Sequence, residues 1–374
     1  METEQRIWEA GKGWTPAKGN LADAQVVLVF GAKGALANPV HFQEIQAQYP
    51  KAHIIGGSTA GEIAGTHVLD GSVVVTAVHF QHSTLHNASI DLAKDEDSTA
   101  AGARLAAKLP SAGLVHVFVV SDGQRVNGSD LVRGMTANVP PGVAVTGGLA
   151  GDSADFHSTL TLSDAGAKEG RLTALGLYGP RLSVGYGSLG GWDPFGPHRV
   201  VTKSIGNVLY QLDGQPALPL YKRYLGDQAA GLPATGLLFP LAVQLPNGVE
   251  VTRTILGINE TDQSLTFAGD VPQGCMARLM KANFDRLVDG AHGAAQGALL
   301  GNGKAELAIL ISCVGRKLVL KSRIEEELEA VQDVLGKQAA MTGFYSYGEI
   351  CPSAPNADCE LHNQTMTITT LRET

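Results

Sequence analysis

Charge is scarce in this chain. Of 374 residues only 17% are Asp, Glu, Lys or Arg, and 36 acidic residues outnumber 28 basic ones for a formal net charge of −8. No Lys/Arg cluster exceeds a short group such as Arg316-Lys317. The basic stripe of a nucleic-acid binder is therefore missing. Long hydrophobic runs are missing too: none approaches the 18 or more residues of a membrane-spanning helix. The opening METEQRIWEAGKGW has early acids and no apolar segment, unlike a secretory signal. Together these absences lead us to expect a soluble cytoplasmic protein. Cysteine is also sparse. Cys275, Cys313, Cys351 and Cys359 are too few and too unevenly spaced for a disulfide framework in a chain this long.

Familiar catalytic and nucleotide motifs are absent as well. There is no Walker A sequence, no H-E-x-x-H and no G-x-S-x-G elbow. Gly185-Tyr-Gly187-Ser-Leu-Gly190 matches G-x-G-x-x-G, but Gly-Trp-Asp-Pro-Phe-Gly-Pro follows where a dinucleotide site needs a helix. His79, His82 and His86 follow a strand-like run in a polar stretch, which suits a surface turn better than a metal site.

What the chain has in excess is glycine, 46 residues in all, without a collagen-like period. Three glycine motifs end short apolar runs: IIGGSTAGEI (54–63), AVTGGLAGDS (144–153) and AMTGFYSYGEI (340–350). Each closes on a carboxylate, Glu62, Asp152 or Glu349. Each is preceded by an apolar run (24–32, 113–123, 305–316) and a helix-like stretch (41–49, 129–139, 322–336). Each is followed by another strand-like run (72–80, 171–179, 364–371). Continuous Val/Ile/Leu runs separated by helices indicate strands buried on both faces. The chain thus repeats a β-α-β-(Gly loop)-β unit three times.

Between the second and third units, GGWDPFGPHRVVTKS (190–204) reads as a linker. Beyond it lie a hairpin over 199–214, a helix over 216–227 and antiparallel strands over 240–258 turned by Pro-Asn-Gly. The expected class is α/β plus α+β in two domains. Residues 1–22 form an arm, 23–190 an α/β domain and 191–374 an α+β domain with the extra antiparallel segment. The acid-rich SRIEEELEAVQ reads as a solvated helix, with Ser322 as N-cap and Glu325 at the capping-box position.

Strand ends in α/β sheets are where ligands bind, and exposed N–H groups of Gly-rich turns favour anions. The same glycines also serve as tight turns. Gly56, Gly57, Ser58, Thr59 and Glu62 in the first motif, and Gly147, Gly148 and Asp152 in the second, are accordingly candidate ligand-binding residues. The densest constellation is C-terminal. Arg316 can hold a carboxylate bidentately, Tyr345 and Tyr347 can stack and hydrogen-bond, and Glu349, Asn363 and Gln364 add polar groups. These suit a small polar or anionic ligand, with no nucleophile, base and orienter arranged for turnover. Cys351, Cys359 and His362 form C-x7-C-x2-H, a candidate redox pair or an incomplete metal set.

GGSTAGEI, TGGLAGD, ISCVGR and above all GFYSYGEI followed by C-x-LHNQTMTIT resemble the FIST family of bacterial sensory proteins, over nearly the whole chain. The resemblance implies an intracellular signal-transduction module that binds a small ligand, amino acids being one proposed class. With both FIST-like domains filling the chain, the expectation is a stand-alone sensor acting on a partner in trans. Some stand-alone members are haem-containing nitric-oxide sensors that regulate a histidine kinase. That leading reading makes haem the cofactor and His362 the candidate axial ligand, with Cys359, Tyr345 and Tyr347 as fallbacks. The histidine has an alternative role, as a hydrogen-bonding member of the strand-end network. Two rival readings are a haem-free sensor of an amino acid or similar carboxylate, and an enzyme using Cys313 or Cys359 as nucleophile with Arg316 or His362 lowering the thiol pKa.

Overall fold

The computed structural model describes residues 1–301, 304–353 and 357–374, and among them four sheets form. Each repeated unit builds the middle of one sheet. In the first, Val26–Gly31 runs parallel to His53–Ser58 and antiparallel to Val73–His79, with helix Pro39–Gln48 between the parallel strands. In the second, Leu114–Ser121 lies between Ala144–Leu149 and Arg171–Tyr178, with helix Gly128–Thr136. In the third, Leu307–Cys313 lies between Ala340–Ser346 and Met366–Glu373, with helix Ile324–Leu335.

The hairpin after each glycine motif leaves its own unit. Glu62–Ala64 with His67–Leu69 adds to Ala340–Ser346 of the third unit. Gly348–Pro352 with Cys359–His362 adds to Ala144–Leu149 of the second. Thr161–Ser163 with Gly166–Lys168 adds to His53–Ser58 of the first. The exchange closes a ring, so each of these three sheets includes a hairpin from another unit.

Alternation along the strands explains the continuous apolar runs. Val26, Leu28 and Phe30 face a core shared with Phe118, Val120, Ile309 and Ile311. Val27 and Val29 face the opposite side, packing with Ile45 of helix Pro39–Gln48. Period-two side chains with a core on each face leave no polar positions in the middle of the strand. Phe30 and Phe344 stack across the shared core at a centroid distance of 4.7 Å.

Residues 193–281 supply the fourth sheet, with its own core around Leu209, Leu218, Val243 and Phe267. The expected hairpin is Arg199–Ile205 against Val208–Leu212, and the expected helix is Ala217–Leu225. Sheet pairing crosses residue 190, where the sequence suggested a division: Leu182–Leu189 pairs with Met366–Glu373 of the third unit. The stretch expected as an arm contributes Glu2–Glu9, paired with Val73–His79. Helix Ile324–Leu335 follows a short 3-10 turn and takes Arg323, not Ser322, as N-cap, without a side-chain cap. Nor is it simply solvated, since Glu327 points inward and is fully buried.

Candidate functional site

The three glycine motifs meet and hold one another. Tyr345 N–H donates to the Gly61 carbonyl and Ala60 N–H to the Tyr345 carbonyl, tying the first motif to the third. Tyr347 N–H donates to Leu149 O, tying the third to the second. Gly151 N–H donates to Ser58 O and Ser153 N–H to Thr59 O, tying the second to the first. Ser58 accepts a further bond at Oγ from Leu160 N–H, 2.8 Å away. These N–H groups serve the interlock and are not open to an anion. Glycine is required for close approach: a Cβ on Gly56, Gly147 or Gly343 would sit 1.8, 1.9 or 1.7 Å from the carbonyl oxygen of Val29, Val119 or Leu310. Gly57 and Gly148 are less tightly packed, with the nearest neighbour of a built Cβ at 3.0 and 2.8 Å.

The motif acids latch loops. Glu62 accepts from Thr59 Oγ1, Ser72 N–H and Ser72 Oγ. Glu349 repeats the pattern with Ser346 Oγ, Thr365 N–H and Thr365 Oγ1. Burial, against the pull of these bonds, pushes the carboxyl of Glu62 up to about 7 and that of Glu349 to about 8. Asp152 lies in a different pattern. It accepts from the N–H groups of Phe156, His157 and Ser158 and from Tyr347 Oη.

The C-terminal constellation converges as the sheet order requires, but inward. Arg316 is fully buried and all five of its N–H donors are engaged. Nε and Nη2 donate to Glu327, Nη2 also to Leu287 O, and Nη1 to Gly190 O and Gln364 O. No donor is left for a ligand carboxylate, so the geometry places Arg316 in the scaffold. Tyr345 is fully buried and donates to Glu327 Oε1. Asn363 and Gln364 are fully buried too: Asn363 donates to the His362 carbonyl and Gln364 to Leu237 O.

A cavity of about 830 Å³ opens beside this interlock. One wall is the Gly123–Gly128 loop of the second unit with Leu149. A second is Cys313–Gly315 and Tyr347 of the third. The opposite wall belongs to the inserted sheet, through Leu232–Leu237 and Thr254–Leu256. Of the residues nominated for binding, only Tyr347 lines it, joined by Cys313. Phe156 stacks on Tyr347 at 4.6 Å and 18°, half-exposed at the cavity, in a left-handed backbone conformation (φ 54°) that a bulky side chain seldom adopts. Asp152 holds it there through the Phe156 N–H.

Family models place the chain among known proteins: the FIST N domain matches residues 25–215 and the FIST C domain residues 217–352. The chain belongs to the FIST family. FIST domains are small-ligand-binding sensory modules of signal transduction, and this chain carries both. A solved structure of cyanuric acid hydrolase from A. caulinodans is similar over 99% of this chain and 98% of that one, at 9% identity and a TM-score of 0.36. No curated protein matches the chain.

Of the haem ligands that the FIST resemblance suggested, only Tyr347 lines the cavity. His362 is buried, its Nε2 lies 2.9 Å from the Cys351 carbonyl, and burial lowers its pKa to about 4. Cys359 donates to Val145 O, with its thiol pKa raised by burial. Tyr345 is bound to Glu327. Tyr347 does line the cavity, but its hydroxyl donates to Asp152 and accepts from the N–H groups of Asp152 and Phe156. This donor set does not fit an axial ligand aimed into the cavity. Among the described residues no group of three or more His, Cys, Asp or Glu gathers as a metal site. Cys351 and Cys359 are both free and buried.

Sequence reasoning missed the Gly123–Gly128 loop, Phe156 and the inserted wall. The loop carried a signal, SDGQRVNG at a strand end with two turn dipeptides. Phe156 carried none.

Proposed function

We propose that this FIST protein is a sensor whose small ligand binds in the cavity between the interlocked units and the inserted sheet. The observation that supports it best is the two-sided wall. A ligand there touches both bodies, while the Ala60, Gly151, Ser153, Tyr345 and Tyr347 N–H groups of the glycine motifs are already taken by the interlock. Ligand pockets commonly enclose about 300–1,000 Å³ and are mostly apolar, and this cavity agrees on both counts.

The inserted sheet is tethered beside the cavity. Arg253 Nη1 donates to Leu361 O at 2.8 Å, and Asn127 Nδ2 donates to Asp270 Oδ1 at 3.0 Å. A ligand shifts such an arrangement only by its different affinity for two placements of the sheet, and bridging both walls supplies that difference. The resulting change in the inserted sheet is the signal offered to a partner. The family likeness supports a signalling partner, and a histidine kinase is the class that the resemblance implies.

The haem and nitric-oxide reading lacks a ligand aimed into this cavity, so no step is routed through iron. In haem-reconstituted protein, His362→Ala should leave the visible spectrum unchanged. The thiol-enzyme reading meets a similar obstacle: Cys313 lines the cavity, but burial and the nearby Glu349 push its thiol up to about 12. No helix among the described residues is long and apolar enough to cross a membrane, and we place the sensor in the cytoplasm as part of the proposal.

The test is a thermal-shift screen of small metabolites against the wild-type protein and Ala268→Trp, a bulky replacement at a residue that also lines the cavity from the inserted sheet. Compounds that raise the wild-type Tm should fail to raise that of Ala268→Trp. Equal shifts in both proteins would move the ligand site elsewhere.

A further inference from the structure

Among the described residues lining the cavity, Arg125 is the only one with a formal charge. The carboxylate of Asp122 is taken up by the N–H groups of Gln124, Arg125 and Gly170. The Arg125 guanidinium lies over Gly170, within 2.5 Å of where a Cβ would stand, and its side chain makes no hydrogen bond or ion pair among the described residues. Across the cavity, Thr254 is 5% exposed and its Oγ1 has no partner. A buried hydroxyl without a partner is costly, and this one is closed off from the cavity surface too. The rest of the wall is mostly apolar, with Gln124, Asn127 and Asn207 as further polar residues. Three exposed hydrophobic side chains, Phe156, Leu256 and Leu318, belong to it, at 40%, 49% and 39% exposure.

Resting on the cavity reading, we infer that the ligand is an amphiphilic monocarboxylate: an apolar body with one carboxylate and no second charge. Arg125 takes the carboxylate as a bidentate pair. One guanidinium balances one negative charge, so a phosphate dianion would carry an uncompensated charge into an apolar wall. Phe156, on its stack with Tyr347, presents aromatic surface to the body, and Leu232 and Ile255 flank it from the inserted sheet. A short amino acid such as glycine has no body to fill this volume, and its ammonium group finds no acidic partner on the wall.

The test uses 1-naphthylacetate, its neutral analogue 1-naphthylacetamide, and glycine, titrated by calorimetry into the wild-type protein, Arg125→Gln and Ala268→Trp. Arg125 is exposed and its substitution breaks no bond, so Arg125→Gln keeps the fold. The expected result is binding of the carboxylate at least about tenfold tighter than the amide, loss of that preference in Arg125→Gln, and loss of both in Ala268→Trp. Equal affinity for acid and amide, tighter binding of glycine, or no binding by the naphthyl probes overturns the ligand class. If a screening hit still loses affinity in Ala268→Trp, the cavity reading survives that failure. Naphthylacetate binding that persists in Ala268→Trp instead overturns the cavity reading itself.

Discussion

Arg316 and Glu327 form an ion pair with Nη2 and Oε2 2.7 Å apart and neither side chain exposed. Ser312 Oγ and Tyr345 Oη donate to the other carboxylate oxygen, so the pair joins two strands of the third unit to its helix. The charge that looked like a ligand clamp is a structural element. Breaking a buried pair leaves one charge uncompensated and costs about 3–5 kcal/mol. Arg316→Ala should therefore lower stability by that order in denaturant titration. A variant of wild-type stability that had lost only ligand binding would restore the clamp.

The close strand approach at the glycine motifs predicts equal intolerance in all three units. In Gly56→Ala, Gly147→Ala and Gly343→Ala the added methyl meets a backbone carbonyl rather than a side chain that can turn away. Overpacking of this kind costs typically about 1–3 kcal/mol. Each variant should lose at least that in chemical denaturation, whereas Gly65→Ala, with open space around it, should lose less despite its positive φ of 58°. A tolerated Gly343→Ala would contradict the packing.

Glu62 and Glu349 give a pH dependence with a definite sign. Their folded-state pKa values, about 7 and about 8, lie above the unfolded carboxylate value. The folded protein thus holds protons that the unfolded chain releases. Their contribution is full below about pH 4.5 and declines as pH rises through 7 to 8. Glu349→Gln can keep the geometry, its amide oxygen accepting from Thr365 and its amide nitrogen donating to Ser346 Oγ. The Tm difference between pH 5 and pH 8 should shrink in Glu349→Gln. An unchanged difference would mean that Glu349 is ionised in the fold.

All four cysteines are buried, and burial raises the thiol pKa of Cys313 to about 12. Native protein at pH 7–8 should react slowly with a thiol reagent at every site, accelerating only as denaturant opens the chain. Rapid, stoichiometric labelling of Cys313 in the native state would revive the thiol-enzyme reading.

The repeated βαβ units were legible in the sequence because both faces of their central strands are buried, leaving unbroken apolar runs such as AQVVLVFGA and AELAILISC. The exchange of hairpins was not. Glu62–Ala64 and Gly348–Pro352 are short, and which strand edge a short hairpin joins depends on contacts far away in sequence. The same limit applies to the nominated side chains. Arg316 and Glu349 are chemically suited to ligands, and only the packing shows that their partners are already supplied from within. Tyr347 was reachable from its motif, whereas Thr254 and Phe267 reach the cavity only because the inserted sheet folds back over the second and third units.

The central claim is that the cavity, and not the glycine interlock, receives the ligand. The most direct measurement is calorimetric titration of the strongest stabilising compound from the thermal-shift screen into wild-type protein, Ala268→Trp and Glu349→Gln at pH 7. The structure predicts unchanged affinity in Glu349→Gln and lost affinity in Ala268→Trp. Lost affinity in Glu349→Gln with wild-type affinity in Ala268→Trp would contradict it and return the site to the motifs.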